Sequence, residues 1–393
     1  MKNLFLLPFV FLCFVVKSQP VIPQKGDGSK FFLDCANLYF EVDSAKGARI
    51  TSFKLDDNEI MYVDFVNSGD MAGSTFWPSP QSVWNWPPPV NLDNKPFSTA
   101  IKDNKIVFRG NTDTKTMLRF YKTTAANVSD TSIIIDYCIK NEKTTAQKWA
   151  PWEITRVINS GLTVFPKSTG SVTGDMAGRT QTISGYVWYD QDATAGGAGS
   201  KFFCDGKGWL AHIIDGNMLF IKKFDDVSTG KAAPGEAEVE VYTSGSLPYT
   251  ELEDQGTYTT IASKDSITWR VKWFARVLPT SINVNVGSTS LTTYIEDVLK
   301  REAALTKVEL TENFTVRIYP NPASGFLTVE TGSTSGKKTI LQIFDLQGKL
   351  VLAHSISQSG ERINIENLPQ GIYIYDLRTG KDILSKGKLA IMH

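Results

Sequence analysis

The sequence predicts an all-β protein with one large antiparallel domain followed by a small β-sandwich. From Lys30 to about Leu278, short apolar or alternating runs recur, separated by Gly, Asp, Asn and Pro. Runs of this length and period are typical of strands that bury one or both faces. The clearest runs are LYFEV, ARITSFKL, KIVFRG, SIIIDYCIK, WLAHII, MLFIKKF, EVEVY and ITWRVKWFARV.

Helical periodicity is rare, and its best example follows these runs. In LTTYIEDVLKREAAL (Leu291–Leu305) apolar residues recur along one helical face, so we expect a helix that closes the large domain or bridges to the next. Between Thr163 and Ser200 the composition turns to Gly, Ser, Thr and Ala, which predicts long loops over one face.

A second pattern begins after a polar stretch at residues 306–313. Each of its four pieces contains one or two strands and a turn, which predicts a small immunoglobulin-like β-sandwich over residues 314–393. The predicted order is therefore a signal peptide (1–18), the large domain (19–305), a linker (306–313) and the small sandwich. The four pieces are FTVRIYPNPASGFLTVE, TILQIFDLQGKLVLAHSI, ERINIENLPQGIYIYDLRTG and KGKLAIMH.

The first residues have the pattern of a secretory signal peptide. Lys2 precedes an apolar run from Leu4 to Val16, and we predict cleavage after Ser18. The run is shorter than the about 20 apolar residues that span a membrane, and no later segment approaches that length. We therefore expect an exported mature protein without an integral membrane segment.

Composition and charge narrow the possible partners. With 393 residues, 41% of them hydrophobic, the chain has room for a sizeable core. Lys plus Arg (41) balances Asp plus Glu (41), so no global field attracts nucleic acid or anionic lipid. The basic residues are also dispersed, so we expect no nucleic-acid partner.

Cysteines and motifs indicate neither a metal nor a cofactor. After Ser18, Cys35, Cys138 and Cys204 remain, so at most one disulfide can form, and the apolar context favours buried thiols. None lies in a cluster with metal-ligand spacing. The sequence has no Walker loop, dinucleotide-binding glycine motif, zinc-protease motif or EF-hand loop.

The C-terminal pattern resembles the type A sorting domain of the type IX secretion system. The resemblance implies that residues 314–393 engage the secretion machinery and that the chain crosses the outer membrane. It also implies that the sorting domain is removed and that the mature protein is released or tethered at the cell surface. The pieces that carry the resemblance are YPNPAS, IFDLQGKLV, INIENLPQGIYIY and the final KLAI.

The stretch FWPSPQSVWNWPPP (Phe76–Pro89) contains three tryptophans and five prolines. Proline restricts its own φ angle and the residue before it, so we expect a stiff extended loop. Indole rings stack on the C–H face of a sugar, while an amide such as Gln81 binds the hydroxyl rim. We therefore take Trp77, Trp84 and Trp86 as candidate binding residues and expect at least one of them to be packing.

The stretch KWAPWEITRV adds three candidates. On an ideal strand Trp152 and Arg156 point to one side and Glu153 to the other. Arg156 or Glu153 can then serve a ligand while the other forms a structural ion pair. We favour Arg156 for the ligand and keep Trp152, Glu153 and Lys222, from FIKKFDD, as candidate substrate-binding residues.

The stretch LPYTELEDQGTY provides candidate catalytic groups. Strand alternation places Tyr249, Glu251 and Glu253 on one face. Two carboxylates so close repel, which raises one pKa and allows a general base at neutral pH. We take Glu251 and Glu253, with Arg156, as candidate catalytic residues and Tyr249 as a substrate-binding one. Alternatively, one glutamate pairs with Arg156 or Lys222 and the other is solvated.

Residues from about Phe31 to Pro279 resemble an uncharacterised bacterial family within the galactose mutarotase-like superfamily. The resemblance implies a large β-supersandwich that binds sugar on a concave sheet face. In aldose 1-epimerases of that superfamily a glutamate and a histidine pair act on the sugar. Glu251 or Glu253 matches the glutamate, but the pair is missing, because His212 is the one histidine before residue 314 and its apolar strand predicts a core residue. The resemblance rests on NLYFEVDSAKGARITSFKL, FWPSPQSVWNWPPP, APWEITRV, FIKKFDD and YTELEDQG.

These observations favour a secreted carbohydrate-binding protein and leave two alternatives. The first is a sugar-active enzyme, aldose 1-epimerase-like or polysaccharide-processing, with Glu251 or Glu253 as base. The second is a structural surface protein without a ligand, whose aromatic residues are buried. Sugar binding predicts that the candidates gather on one concave face.

Overall fold

The computed structural model describes residues 21–191, 199–312, 317–330, 339–345, 348–379 and 382–392. The predicted signal peptide lies outside these residues. The chain divides into a large unit that ends at Leu299 and a small unit that begins at Lys300.

Short strands make up most of the large unit, as the apolar runs predict. Its helices are α1 Phe65–Ser68, α2 Val90–Asp93 and α3 Thr289–Glu312, the last of which continues into the small unit. Its strands are β1 Gln24–Lys25, β2 Lys30–Cys35, β3 Leu38–Asp43, β4 Arg49–Leu55, β5 Asn58–Glu59, β6 Ser74–Ser79, β7 Ser98–Lys102, β8 Lys105–Arg109, β9 Leu118–Asn127, β10 Ser132–Asn141, β11 Gln147–Ile158, β12 Gly161–Pro166, β13 Gln181–Ile183, β14 Tyr186–Gln191, β15 Ser200–Cys204, β16 Trp209–Ile214, β17 Met218–Lys223, β18 Val239–Thr243, β19 Tyr249–Gln255, β20 Thr259–Ile261 and β21 Ser266–Val277.

The strands form two antiparallel sheets. The first sheet has the order β1-β2-β3-β4-β6-β11-β19-β18-β15, with β5 on β4 and β20 on β11. The second has the order β13-β14-β12-β16-β17-β21-β10-β9-β8-β7. Every apolar run singled out above lies in one of these sheets, so the predicted antiparallel all-β class is confirmed.

An aromatic cluster joins the two sheets. The ring centroid of Trp273, in β21 of the second sheet, lies 5.8 Å from that of Phe40 and 5.3 Å from that of Phe53, both in the first sheet. It also lies 5.1 Å from the ring of Phe220 in the neighbouring strand β17. All four rings are buried. Since aromatic pairs add to the free energy gained by burying their area, this cluster is a main contact between the sheets.

We expect Phe53→Ala to lower the free energy of unfolding by about 3–5 kcal/mol, because the change opens a cavity between the sheets. The more conservative Phe53→Leu should cost less than half as much, since it fills most of the space. Urea unfolding of both variants measures the difference. A loss below about 1 kcal/mol for Phe53→Ala would contradict this packing.

Helix α3 covers the outer face of the second sheet. In β16 Trp209 and Ile213 face outward, where Leu291 and Ile295 of α3 pack against them. The helix includes the predicted stripe and continues through residues 306–312, which the sequence pattern predicts as a linker. This segment, TKVELTE, has no glycine or proline to end a helix.

A buried lysine links the two sheets. Lys222 of β17 places its Nζ 3.1 Å from Glu153 Oε2 of β11 and 2.7 Å from Asp254 Oδ2 of β19. The same Nζ donates a hydrogen bond of 2.9 Å to the carbonyl of Leu252. All three charged side chains are fully buried, so each needs its partners to offset the loss of water.

Aromatic donors complete this cluster. The indole of Trp273 donates to Glu153 at 3.2 Å, and that of Trp269 donates to Asp254 at 2.9 Å. The hydroxyl of Tyr137 also donates to Glu153. Burial raises the pKa of Asp254 to about 7, even though Lys222 opposes this shift.

Removing the ammonium group by Lys222→Met should lower the free energy of unfolding by about 3–5 kcal/mol near pH 8, because it leaves buried carboxylates unpaired. The pKa of Asp254 lies above its ordinary value. The contribution of Asp254 to stability is therefore present at low pH and is lost as the pH rises through about 7. In the variant this pKa rises further, since Lys222 lowers it.

The loss in free energy of unfolding caused by Lys222→Met should therefore be smaller near pH 5, where Asp254 is protonated, than near pH 8. Chemical unfolding at both pH values measures it, with Lys223→Met as the matched control. Lys223 is only partly buried, so its loss should cost little at either pH. Equal deficits for Lys222→Met at the two pH values would contradict the role given to Asp254.

The small unit contains two sheets around one core. One sheet has the order β22-β23-β26 and the other the order β25-β24-β27-β28. Leu327, Leu341 and Leu377 are among the side chains buried between them, and the predicted small sandwich is confirmed. The strands are β22 Arg317–Tyr319, β23 Phe326–Glu330, β24 Thr339–Phe344, β25 Leu350–Ile356, β26 Glu361–Asn364, β27 Gly371–Thr379 and β28 Asp382–Ile391.

Among the described residues, no helix is long and apolar enough to cross a membrane.

Candidate functional site

A cleft of about 710 Å³ opens on the first sheet. This volume is in the range of small-molecule sites. Five adjacent strands, β6, β11, β19, β18 and β15, contribute to its lining, as do the loops beside them. The side chains that matter for its chemistry are Trp77, Gln81, Trp86, Trp152, Lys201, Phe203, Tyr242, Tyr249 and Glu251.

Strand alternation decides which side chains reach the cleft. In β19 Tyr249 and Glu251 line the cleft, whereas Leu252 faces the core between the sheets. In β11 Trp152 lines it, and its neighbour Glu153 faces the second sheet. The cleft is therefore on the face of the first sheet that points away from the second.

Three tryptophans, Trp77, Trp86 and Trp152, form one wall of the cleft, and a fourth, Trp84, packs against Trp77. Trp77 is at the centre, and its ring centroid lies 5.9 Å from Trp84, 5.8 Å from Trp86 and 5.4 Å from Trp152, each in an edge-to-face arrangement. Trp84 is buried and donates a hydrogen bond of 2.6 Å to the carbonyl of Pro78. Trp86 is 55% exposed, so one of the four presents its ring to solvent.

The stretch Phe76–Pro89 differs from the predicted extended loop. Its first four residues lie in β6, in the middle of the first sheet, and Gln81–Val83 form a short 3₁₀ turn. Pro78 faces Pro151 of β11. Two residues without an N–H group thus oppose each other, which allows proline inside a sheet.

Arg156 lies beneath the aromatic wall and holds Glu251. Its Nη2 is 2.8 Å from Glu251 Oε1, and its guanidinium lies 5.7 Å from the Trp77 ring and 5.6 Å from the Tyr249 ring. Burial raises the pKa of Glu251, the charge of Arg156 opposes the shift, and Glu253 adds to it. Arg156 is fully buried and is not among the lining residues, so it positions Glu251 from below.

Lys201 is a cleft residue that the sequence analysis missed. Its Nζ lies 2.8 Å from Glu253 Oε2 and also pairs with Glu240. Glu253 Oε2 accepts a further hydrogen bond of 2.7 Å from the indole of Trp152, over whose ring Lys201 lies at 5.0 Å. Burial alone would lower the pKa of Lys201, but the two carboxylates raise it, so the ammonium stays charged.

Three predicted binding residues do not reach the cleft. Glu153 and Lys222 are paired between the sheets, on the other side of the first sheet. The alternation of β11 turns Glu153 inward, and Lys222 extends toward it from the second sheet. Trp84 is likewise a packing residue, as expected for at least one of the three tryptophans in its stretch.

His212 is a core residue, as its strand context predicts. It is fully buried in β16, and its Nδ1 lies 3.1 Å from Thr163 Oγ1. Burial lowers its pKa to about 4, so the ring is neutral at neutral pH. The three cysteines of the described residues are free thiols, and no group of three His, Cys, Asp or Glu side chains there is arranged to hold a metal ion.

Comparison with solved structures finds similar chains at low identity. The chain is similar to a galactose mutarotase-like protein from Lactobacillus casei, with 9% identity and a TM-score of 0.46 over 63% of this chain and 100% of that one. It is also similar to one from Clostridium acetobutylicum, with 8% identity and a TM-score of 0.43 over 66% of this chain and 99% of that one. No curated protein matches the sequence.

The small unit matches a family model. Residues 317–392 match the model described as the secretion system C-terminal sorting domain. This match covers the two small sheets and agrees with the order of the pieces in the sequence. The C-terminal unit is thus a secretion system C-terminal sorting domain, and the protein is exported to the cell surface or secreted.

Proposed function

We propose that the protein is an exported carbohydrate-binding protein whose large unit holds a sugar in the cleft. The observation that carries this proposal is the convergence of Trp77, Trp86 and Trp152 on one cleft that also presents charged groups. An exposed ring supported by other rings suits the flat C–H face of a sugar. In the same proposal, residues 1–18 are the signal peptide and residues 314–393 engage the secretion machinery.

The polar groups of the cleft support sugar binding. Glu251 accepts hydrogen bonds from hydroxyl groups, and Lys201 donates to them. Both are held by neighbours, Glu251 by Arg156 and Lys201 by Glu253, so little side-chain entropy is lost when a ligand binds. Gln81 adds an amide, and its backbone N–H is fixed by a hydrogen bond to a glutamate.

Trp86→Ala should weaken sugar binding by about tenfold, because it removes the exposed stacking surface. Trp86 is 55% exposed, so the change should leave the fold intact. The measurement is a glycan array followed by calorimetric titration of the sugars that bind. Val83→Ala is the matched control, since Val83 is equally exposed in the same stretch and does not line the cleft.

Equal affinity of Trp86→Ala and the wild-type protein would exclude the aromatic wall as the binding surface. Absence of binding to every sugar on the array would favour the alternative of a structural surface protein.

A second candidate function is proton transfer on the bound sugar. The raised pKa of Glu251 suits a general base, and Lys201, two strands away in the same sheet, is a charged donor. The candidate Glu253 is less suited to this role, because Lys201 and the indole of Trp152 already bind its Oε2.

If the cleft transfers protons, Glu251→Gln should slow anomer exchange of a bound sugar by about 100-fold or more, because the amide cannot accept the proton. The wild-type rate should rise with pH as Glu251 loses its proton. NMR exchange spectroscopy measures the rates, and Glu41→Gln, outside the cleft, is the control. A wild-type rate no faster than that of the free sugar would exclude this second function.

A further inference from the structure

A second cavity adjoins the cleft. It has a volume of about 580 Å³ and is lined by residues 169–174, by the end of β15 and by residues 227–238. Phe203 lines both the cleft and this cavity. We call the cavity the outer groove and define it by Thr169, Ser171, Asp205, Ser228, Thr229 and Glu236.

We propose that the cleft and the outer groove together bind a neutral oligosaccharide, with one unit on the aromatic wall and the next beyond Phe203. This inference rests on the proposed sugar-binding function. It adds the length and the charge class of the ligand, which that function leaves open.

Backbone contacts fix the boundary between the two compartments. The N–H of Thr173 donates to the carbonyl of Phe203 at 3.0 Å, and the N–H of Phe203 donates back at 2.9 Å. Gly174, with φ +95°, follows directly, and a Cβ there would lie 2.4 Å from the carbonyl oxygen of Lys201. Only glycine therefore allows this loop to lie against β15, which keeps Phe203 between the two compartments.

A hydrogen bond also connects the walls of the two compartments. The backbone N–H of Gln81, which lines the cleft, donates to Glu236 Oε1 at 3.1 Å, and Glu236 lines the outer groove. The loop that carries the tryptophans and the loop that closes the outer groove are thus held together. A ligand that follows both compartments meets a continuous, fixed surface.

The chemistry of the outer groove favours neutral sugars. Asp205 Oδ2 accepts hydrogen bonds of 2.9 Å from the hydroxyls of Thr169 and Thr229, so the groove presents hydroxyls and carboxylates together. Among its described lining residues are the carboxyl groups of Asp205 and Glu236 but no lysine or arginine. Carboxylate or sulfate groups on a ligand would be repelled here.

A third groove, on β2 to β4, is less suited to extend the site. Two of its charged side chains, Lys30 and Glu41, form an ion pair at 2.7 Å. An apolar cluster that includes Phe65, Met71 and Tyr249 lies between it and the cleft, since Phe65 lines the third groove and Met71 lines the cleft. The ligand therefore extends past Phe203.

The test is calorimetric titration of the full chain with glucose, xylose, mannose and galactose and with their linear neutral oligomers of increasing length. We expect the dimer of a bound sugar to bind about tenfold more tightly than the monomer. Oligomers of galacturonic acid should show no such gain.

Two leucines placed in the outer groove, Ser171→Leu with Ser228→Leu, should remove the gain and leave monomer affinity unchanged, because both residues are exposed and lie outside the cleft. Asp57→Leu is the matched control, since Asp57 is exposed in the third groove. The Asp57→Leu variant should still bind the dimer more tightly than the monomer.

The outcomes separate the two proposals. Equal affinity for monomer and oligomers, or loss of the gain in Asp57→Leu alone, would overturn the oligosaccharide inference and leave sugar binding intact. A gain that the double leucine variant retains would also overturn it. Failure of every monomer and oligomer to bind would overturn both proposals.

Discussion

The pairing of Lys222 with Glu153 and Asp254 is the interaction on which the large unit depends. Glu153 and Asp254 are each next in sequence to a residue of the cleft side, Trp152 and Glu253. One ammonium group from the second sheet therefore fixes β11 and β19 from behind, at the place where their other face carries the candidate site. Because buried charges need their partners at close range, this cluster also fixes the position of β11 and β19 beneath the cleft.

Ion pairs also hold the side chains of the candidate site, on the cleft side of the first sheet. Arg156 of β11 holds Glu251 of β19, and Lys201 of β15 holds Glu240 of β18 and Glu253 of β19, so ion pairs connect the four strands. The rings of Trp77 and Tyr249 lie beside the Arg156 guanidinium, and Lys201 lies over the ring of Trp152, so cation–π contacts support both pairs. The site is thus organised before a ligand arrives, and its rigidity comes from the sheet and not from the loops.

Alternation along a strand predicted the local part of this arrangement. It placed Tyr249, Glu251 and Glu253 together and separated Glu153 from Arg156, because side chains point to opposite faces with a period of two. It did not indicate which face is open, so Lys222 was expected at the ligand. Lys201 was missed because its contacts depend on the pairing of β15 with β18, which joins residues far apart in the sequence.

The apolar side chains of helix α3 determine what a cut between the two units would expose. Among the side chains of this helix that the structure describes, those in the core of the second sheet are Leu291, Ile295, Val298 and Leu299, which precede residue 300. A protease that cuts after this point leaves the apolar cover of the second sheet in place. Such a cut would therefore leave these four side chains over the core of the second sheet and would not open an apolar patch there.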